Sequence, residues 1–451
     1  MKNMWFSTCV IALGTCLFLL NTPTYAETYK VEKGMSIQQT INKAKDGSTI
    51  LVSPGIYKEN LTITKTLTVI GENGAVVDGG KQKNVITVTA PNVTIKGLTI
   101  QHSGNIENNA GVFLDHTTNS VIEMNRIKNV KYGIYVEKGK GHQIHNNQIS
   151  SFPIHFSRRG NGIHLFYTED IAIKDNTIQN IQDGIYFDHS KKQHISKNSI
   201  TQSRYGMHFM FSQAAAVAQN HLSSNMTGLM VMESSGLQFK NNEVKKHLDY
   251  RGYGALIYHS SSVDVTNNEF ISNHTGFALE ETENVSIKNN LIAGNYIGIQ
   301  MTGKNQHSVI SANNVVGNLV QFQPGQNSVK LDDGQYGNYW DDYSSYDLTN
   351  DGIGEIPYEP YTIYKNVKRE VTYLPFFFES PAMKLWSATE KILPSIRKSD
   401  NIDRFPKITP FSGQKVANNN DGNKNVYVVM ISVLLCITSF FILRIGKVTT
   451  K

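Results

Sequence analysis

Four side chains that can bind a soft metal stand close together near the middle of the chain. His208 and Met210 are two residues apart, and Met230 and Met232 repeat that spacing 22 residues later. Imidazole nitrogen and thioether sulfur are ligands that favour Cu(I). Methionine is also an ordinary packing residue, so an apolar surface without metal is the alternative. The pattern therefore predicts a candidate copper site.

A second group of possible ligands lies nearer the C-terminus. Asp347, Asp351 and Glu355 stand at positions 1, 5 and 9 of a loop with Gly352 at position 6, as in calcium-binding loops. Position 12 is Tyr358, where such a loop has a bidentate glutamate. The spacing allows a calcium site at the three carboxylates, and a plain Asp/Gly turn is the alternative.

Paired carboxylates would instead indicate an enzyme that acts on polysaccharides. The best candidates are Asp183 and Asp188, of which the second is followed directly by His189. Neighbouring repeats carry no carboxylate at the corresponding places, and Asp183 can simply belong to a turn. We therefore expect no enzymatic activity, with a polysaccharide-modifying enzyme as the alternative.

An internal repeat must position these residues. Glycines recur at intervals of 22 residues, with single longer steps of 29 and 26, at Gly111, Gly133, Gly162, Gly184, Gly206, Gly228, Gly254, Gly276 and Gly298. Asparagines keep the same spacing at Asn125, Asn147, Asn176, Asn198, Asn220, Asn242, Asn268 and Asn290. We expect these asparagines to form a side-chain ladder inside a turn. The longer steps predict inserted loops around residues 152–159 and 247–251.

A unit of this length is too short for two packed helices. It suits one coil of three short strands that stacks on the next coil at about 4.8 Å. The abundant β-branched and turn residues agree with short strands and tight corners. The repeat therefore predicts an all-β fold, a right-handed, single-stranded parallel β-helix with 22-residue coils.

Alternation within each repeat predicts which side chains face the core. The first and third residues after each glycine are apolar, for example Ile163 and Leu165, so we expect them to point inward. The second and fourth point outward, where a solvated strand would carry Thr, Lys, Glu or Ser. In the middle coils they form an exposed row that we call the stripe: His164, Phe166, Tyr186, Asp188, His208, Met210, Met230, Met232 and Tyr258.

The stripe has three interpretations that do not exclude one another. The chain's own C-terminal segment can cover it, or it can be a protein-binding face, because contiguous apolar patches on an exterior surface mark interaction sites. The third interpretation is the soft-metal site formed by His208, Met210, Met230 and Met232.

Both ends of the chain predict export and a membrane anchor. Residues 1–26 read as a signal peptide, and 426–445 as one transmembrane helix with a cytoplasmic tail at 446–451. The β-helix is expected over 27–360, with a cap helix after Ser36 that carries Ile37, Ile41 and Ala44 on one face. Residues 361–411 are expected to form a docking segment with an amphipathic helix, and 412–425 a flexible tether.

Cysteine positions and net charge exclude other classes of protein. The cysteines are Cys9, Cys16 and Cys436, so the long segment between them can form no disulfide framework or thiolate metal site. The net charge of +6 is weak and dispersed, which argues against nucleic-acid binding.

The chain resembles the NosD family, whose members are accessory proteins for maturation of nitrous oxide reductase. The resemblance is carried by Arg204–Ser212, Gly228–Ser234 and Gly252–Gly254, and further by the segments 34–39, 54–57, 337–343 and 351–358. It implies a β-helix of the carbohydrate-binding/sugar-hydrolase type outside the cytoplasmic membrane. It also implies copper and a role in assembling the copper–sulfur centre of the reductase, on an ABC transporter of permease and ATPase subunits.

Residues and resemblance together predict a non-enzymatic assembly factor. The stripe would face the apo-nitrous oxide reductase or a copper chaperone, while the C-terminal region docks on the transporter. Besides a polysaccharide-modifying β-helix enzyme, the alternative is a surface protein that binds carbohydrate or protein.

Overall fold

Three parallel sheets wind along the chain as a β-helix. The computed structural model describes residues 27–106, 108–325, 327–360 and 401–412. Within these residues, successive strands visit the three sheets in turn, and every strand pair is parallel. The predicted all-β parallel β-helix is confirmed. Residues 27–411 of the described chain belong to one compact unit, and Ser412 belongs to a second.

Sheet I has 13 strands. They are β1 Thr28–Val31, β2 Thr49–Val52, β5 Thr68–Gly71, β8 Thr94–Lys96, β11 Val121–Glu123, β14 Gln143–His145, β17 Ala172–Lys174, β20 His194–Ser196, β23 Ala216–Ala218, β26 Gln238–Lys240, β29 Ser261–Thr266, β32 Glu283–Lys288 and β35 Val309–Ser311.

Sheet II has 12 strands and carries the stripe. They are β4 Leu61–Ile63, β7 Ile86–Val88, β10 Ala110–Asp115, β13 Tyr132–Glu137, β16 Ile163–Phe166, β19 Asp183–Asp188, β22 Tyr205–Met210, β25 Thr227–Met232, β28 Tyr253–Tyr258, β31 Thr275–Glu280, β34 Ile297–Thr302 and β37 Val320–Gln323.

Sheet III has 13 strands. They are β3 Gly55–Lys58, β6 Ala75–Asp78, β9 Thr99–Gln101, β12 Arg126–Val130, β15 Gln148–Ser151, β18 Thr177–Gln179, β21 Ser199–Thr201, β24 His221–Ser223, β27 Glu243–Lys245, β30 Glu269–Ile271, β33 Leu291–Ala293, β36 Asn314–Val316 and β38 Tyr339–Trp340.

The core lies between the three sheets and follows the predicted alternation. The first and third residues after each repeat glycine are buried, as in Ile163, Leu165 and Phe187. Phe187 and Phe209 stack with ring centroids 4.3 Å apart and an interplanar angle of 5°. Full burial of one such side chain stabilises the fold by about 2 kcal/mol, so the repeated apolar pairs hold each coil on the next.

The predicted asparagine ladder is confirmed and extends two coils further than expected. Each side-chain Nδ2 donates to the Oδ1 of the next asparagine, at 2.9 to 3.2 Å, along Asn125, Asn147, Asn176, Asn198, Asn220, Asn242, Asn268, Asn290, Asn313 and Asn338. Most also donate to a backbone carbonyl, for example Asn198 to Ile173. The ladder thereby satisfies buried polar groups at one corner of the coil.

The two inserted loops lie where the longer repeats predict them. Residues between β15 and β16 contain a short 3-10 helix, Phe156–Arg158. The second loop separates β27 from β28, but His247 does not belong to it. His247 is fully buried and accepts a hydrogen bond at Nδ1 from the backbone of Asn225. It takes the place of an asparagine in a second ladder, because imidazole can also accept a backbone N–H. The members of this second ladder are Asn225, His247, Asn273, Asn295 and Asn318.

Helix α1, Ile37–Lys43, lies between β1 and β2 in the chain. Its N-cap Ser36 accepts a hydrogen bond from the backbone of Gln39, and Ile37, Ile41 and Ala44 are buried. These are the residues predicted for a cap helix, whose role in protecting the end of the core stays a prediction. At the other end of the β-helix, Lys407 forms a bridge to Tyr339 of the last strand, β38, and Asp403 forms a bridge to Tyr358.

Several predicted segments fall outside the described residues. These are the signal peptide at 1–26, the amphipathic helix of the 361–411 segment, most of the tether at 412–425, the transmembrane helix at 426–445 and the tail at 446–451. In the described part of the chain, no helix has the length and apolar character needed to cross a membrane.

Candidate functional site

The structure brings the nine stripe residues into two neighbouring rows on the outer face of sheet II. One row runs through His164, Tyr186, His208 and Met230, which are paired in register on consecutive strands. The second row is Phe166, Asp188, Met210, Met232 and Tyr258. The register read from the glycine spacing is therefore the register of the structure, because a parallel stack repeats its side-chain positions from coil to coil.

Aromatic contacts connect the first row along the helix axis. Tyr135 stacks on His164, with ring centroids 4.5 Å apart. His164 lies 4.8 Å from Tyr186, and Tyr186 lies 4.8 Å from His208. Tyr135 was missed by the sequence reasoning, although it is the second residue after Gly133 and so obeys the same register. The row is one continuous contact surface across four coils.

The stripe is less exposed than we expected. His208 is only 6% exposed and Met230 only 8%, and the other seven residues are half-buried. Each ring or thioether is packed between side chains of the coils on either side, which are about 4.8 Å away. Tyr205 also flanks His208 at 5.1 Å between ring centroids. Stacking in register therefore buries much of a row that alternation alone places outside.

A buried ion pair lies beside His208. Arg204 donates from Nε to Oδ1 of Asp183 at 2.8 Å and from Nη2 to Oδ2 at 2.6 Å. His208 Nδ1 lies 3.1 Å from the same Oδ2. The Asp183 side chain is 1% exposed, and Asp183 opens strand β19, so the alternative that it belongs to a turn does not hold. Most sheet II strands with a repeat glycine begin one residue before that glycine, as β19 does before Gly184.

Asp183 and Arg204 both stay charged, because each stabilises the charged form of the other. Burial raises the pKa of Asp183, but hydrogen bonds from His208 and Arg204 outweigh it and leave the pKa below its ordinary value. Burial lowers the pKa of Arg204, and Asp183 reverses that effect so that the pKa is raised. Sequence reasoning assigned Arg204 no partner. The signal was its position, 21 residues after Asp183 and so one coil further on.

His164 has a different environment from His208. Its Nδ1 lies 3.0 Å from Nδ2 of Asn161, while Oδ1 of Asn161 accepts the backbone N–H of Asp183 at 3.2 Å. Burial lowers the pKa of His164 to about 4, against a smaller opposing effect of the Asp183 charge. This imidazole is therefore neutral at physiological pH. Asn161 was not among the predicted site residues.

The carboxylates considered for an enzyme are engaged elsewhere. Asp183 is held ionised by Arg204 and has no proton to donate, whereas a glycosidase acid needs a raised pKa. Asp188 Oδ1 lies 2.5 Å from Nδ1 of its neighbour His189. Burial and the nearby Asp188 charge raise the pKa of Tyr186 to about 12, so its hydroxyl stays protonated. These environments do not favour acid–base hydrolysis.

The donor atoms at His208 and Met230 fit a soft metal. His208 Nε2 is buried and has no hydrogen-bond partner among the residues that the structure describes. Met230 is its register partner on the next strand. Met210, by contrast, accepts a hydrogen bond at sulfur from the Tyr186 hydroxyl at 3.5 Å. The described residues contain no group of three His, Cys, Asp or Glu side chains placed for a metal ion, so a metal here would depend on thioether sulfur.

The predicted calcium loop has the geometry of the alternative, an Asp/Gly turn. Asp347 accepts the backbone N–H groups of Asp351 and Gly352, at 3.2 and 2.7 Å. Glu355 accepts the N–H of Leu348 at 3.2 Å. The carboxylates point to their own loop backbone, and in the described part of the chain they form no metal-binding group. This geometry favours the turn, because local amides compete for the same oxygens, and the calcium site stays a prediction.

Comparison with known proteins identifies the family. The family model described as "Periplasmic copper-binding protein (NosD)" matches residues 56–152 and 146–345. The "Probable ABC transporter binding protein NosD" of Pseudomonas aeruginosa is 32% identical over 378 residues, which cover 79% of this chain and 87% of that protein. The protein of the same description from Stutzerimonas stutzeri is 32% identical over 376 residues, which cover 78% of this chain and 85% of that protein.

Among solved structures, the chain is similar to PfbA, a surface adhesin of Streptococcus pneumoniae. That similarity has a TM-score of 0.49 and 11% sequence identity, and covers 64% of this chain and 88% of that chain. It carries no information on function. The family match and the two relatives, which span most of this chain, establish that the chain belongs to the NosD family.

Proposed function

We propose that this protein is an accessory factor for maturation of the copper–sulfur centre of nitrous oxide reductase. It acts outside the cytoplasmic membrane, together with the permease and ATPase subunits of an ABC transporter, and is held at the membrane by its C-terminal helix. The proposal is supported by membership of a family described as periplasmic and copper-binding, with relatives described as ABC transporter binding proteins. The protein assists assembly and is not itself an enzyme.

One observation carries the assignment of the working face. His164, Tyr186, His208 and Met230 lie in register on four consecutive strands, with the Asp183–Arg204 ion pair beside them. An outer sheet face needs none of these residue types for folding, since Thr, Lys or Ser would serve there. We infer that the stripe receives the apo-reductase or a copper chaperone.

Copper would be cargo for this protein rather than a permanent cofactor. His208 and Met230 would hold it, with Met210 and Met232 on the neighbouring row as further thioethers. Such a donor set stabilises Cu(I) against oxidation and against harder competing ions. The chain's own contribution is to orient His208 through Asp183 and to exclude water with the packed row around it.

The test replaces the stripe at its centre in the native host. His208→Ala combined with Met230→Ala should leave a reductase that is present but deficient in copper and activity. Copper content and activity of the purified reductase are the measurements. The expected level is that of a strain lacking the protein, because the working face loses both its imidazole and its thioether.

A matched control separates function from folding. His194→Ala with Gln238→Ala removes an imidazole and a long polar side chain from the outer face of sheet I, in the same coils as Tyr186 and Met230. This variant should support full maturation. Both double variants should be exported at the wild-type amount with a similar melting temperature. Full maturation by the stripe variant would reject the stripe as the working face.

A further inference from the structure

We propose that the two stripe histidines are held in opposite tautomers, so that His208 offers a lone pair at Nε2 to a soft metal and His164 does not. Asn161 sets the His164 tautomer, and the Asp183–Arg204 pair sets the His208 tautomer. The identity of the metal as Cu(I) rests on the proposed function. The tautomers themselves follow from hydrogen bonds of the described residues.

The His164 tautomer follows from a donor of known direction. The backbone N–H of Asp183 can only donate, and it lies 3.2 Å from Oδ1 of Asn161. This contact fixes which end of the Asn161 amide is oxygen, so the opposite end is the Nδ2 donor. That Nδ2 lies 3.0 Å from Nδ1 of His164, which must therefore accept. The His164 proton is on Nε2, and a protonated nitrogen cannot ligate a metal.

The His208 tautomer follows from an acceptor. Arg204 holds both oxygens of Asp183, so the carboxylate has no proton of its own to donate. His208 Nδ1, at 3.1 Å from Oδ2, must then be the donor. In the neutral imidazole, the form that can ligate a metal, the single proton is therefore on Nδ1. Its lone pair is consequently on Nε2.

That lone pair has no other use in the described structure. Nε2 of His208 is buried and has no hydrogen-bond partner in the described part of the chain, although buried polar atoms are almost always paired. Met230 is the register partner of His208, while the sulfur of Met210 already accepts from Tyr186. The geometry points to a site formed by His208 and Met230 for one soft monovalent cation. Asp183 is then a positioning residue, in the carboxylate–histidine–metal arrangement common in metal sites.

The test compares the two histidines in the full-length protein. Cu(I) affinity is measured without oxygen, by competition with a chromogenic chelator, for wild type, His208→Gln and His164→Gln. We expect loss of binding in His208→Gln and wild-type affinity in His164→Gln. Asp183→Asn should weaken binding by about 10- to 100-fold, the usual effect of losing a group that orients a ligand. Wild-type affinity in His208→Gln, or loss of binding in His164→Gln, would overturn the assignment.

Two spectroscopic readouts exclude a merely structural effect. X-ray absorption of the bound copper should show nitrogen and sulfur neighbours in both copper-binding proteins, wild type and His164→Gln. Metal-free protein labelled with 15N-histidine should show the proton on Nδ1 of His208 and on Nε2 of His164. The same tautomer in both residues would reject the proposal, even if Asp183→Asn does not fold.

Failure of the metal site and failure of the proposed function give different results. Opposite tautomers and Cu(I) binding at His208, together with full reductase maturation by the stripe variant, would reject the function and keep the site. Absence of Cu(I) binding, together with failed maturation by the stripe variant, would reject the site and keep the function.

Discussion

The guanidinium of Arg204 contacts both carboxylate oxygens of Asp183 from the next coil of the β-helix, at 2.8 and 2.6 Å. The pair lies beside the outer face of sheet II, yet the Asp183 side chain is 1% exposed. A carboxylate taken out of water to this extent needs its partner, since an unpaired buried charge is strongly destabilising. The pair thus joins two coils and also orients His208.

Removal of the arginine alone should destabilise the protein. Arg204→Met leaves Asp183 buried without its counter-charge, and the side chain of Arg204 is 31% exposed, so water screens part of the effect. We expect a loss of about 3 kcal/mol in the free energy of unfolding, measured with urea. The double variant Asp183→Leu with Arg204→Met should recover most of that loss. Equal loss in the single and double variants would show that the pair is not the cause.

Acid should destabilise the protein through the buried His247, which an asparagine can replace in its ladder. Burial lowers the pKa of His247 to about 4 from an unfolded value of 6.5. Above pH 6.5 the His247 side chain is neutral in both the folded and the unfolded state. As the pH falls through 6.5 toward 4, the unfolded state binds the proton first and stability is lost. His247→Asn would give the second ladder the same residue type at this position as at its neighbours Asn225 and Asn273.

We expect His247→Asn to lose less stability than wild type between pH 7 and pH 4, by about 3 kcal/mol. Unfolding by urea at several pH values measures the difference. His142 and His164, whose pKa values burial also lowers to about 4, keep part of the acid sensitivity in the variant. Parallel pH profiles of wild type and variant would contradict the assignment.

The asparagine ladder should tolerate no gap. Asn198 accepts the N–H of Asn176 and donates to Ile173, Ser196 and Asn220. Asn198→Ala leaves several buried groups without a partner, each costing about 1 to 3 kcal/mol. We expect a loss of about 4 kcal/mol, visible as a large drop in melting temperature. Ser199→Ala, one residue further on, is the control and should change stability by less than about 1 kcal/mol.

A glycine of the repeat, Gly184, should tolerate a methyl group less well than Gly55, which lies outside the repeat series. An added Cβ at Gly184 would lie 2.4 Å from the carbonyl oxygen of Gly206 and 2.4 Å from Ile200. At Gly55 the nearest atom, in Tyr57, is 3.4 Å away. Gly184→Ala should therefore destabilise by about 3 kcal/mol or more, while Gly55→Ala should stay within about 1 kcal/mol of wild type. Thermal unfolding of both variants decides whether close coil approach explains the recurring glycine.

The candidate soft-metal residues and the stripe were reached from the sequence because the fold is a stack. Glycine and asparagine spacing predicted the coils, the inward pairs such as Ile163 and Leu165, and the in-register row containing His208 and Met230. In a parallel β-helix each residue meets its equivalent in the next coil. The place of a residue in the repeat therefore determines on which face of the β-helix it lies.

Tertiary structure alone decided the exposure of that row and the partners of its polar atoms. Burial of His208 depends on how neighbouring rings stack, and the bond to Asp183 depends on the direction of a side chain at the start of a strand. The spacing of the repeat specifies neither the burial of His208 nor its bond to Asp183. The Asp347 loop shows the same limit, because spacing cannot tell carboxylates that converge on an ion from carboxylates that bind their own backbone.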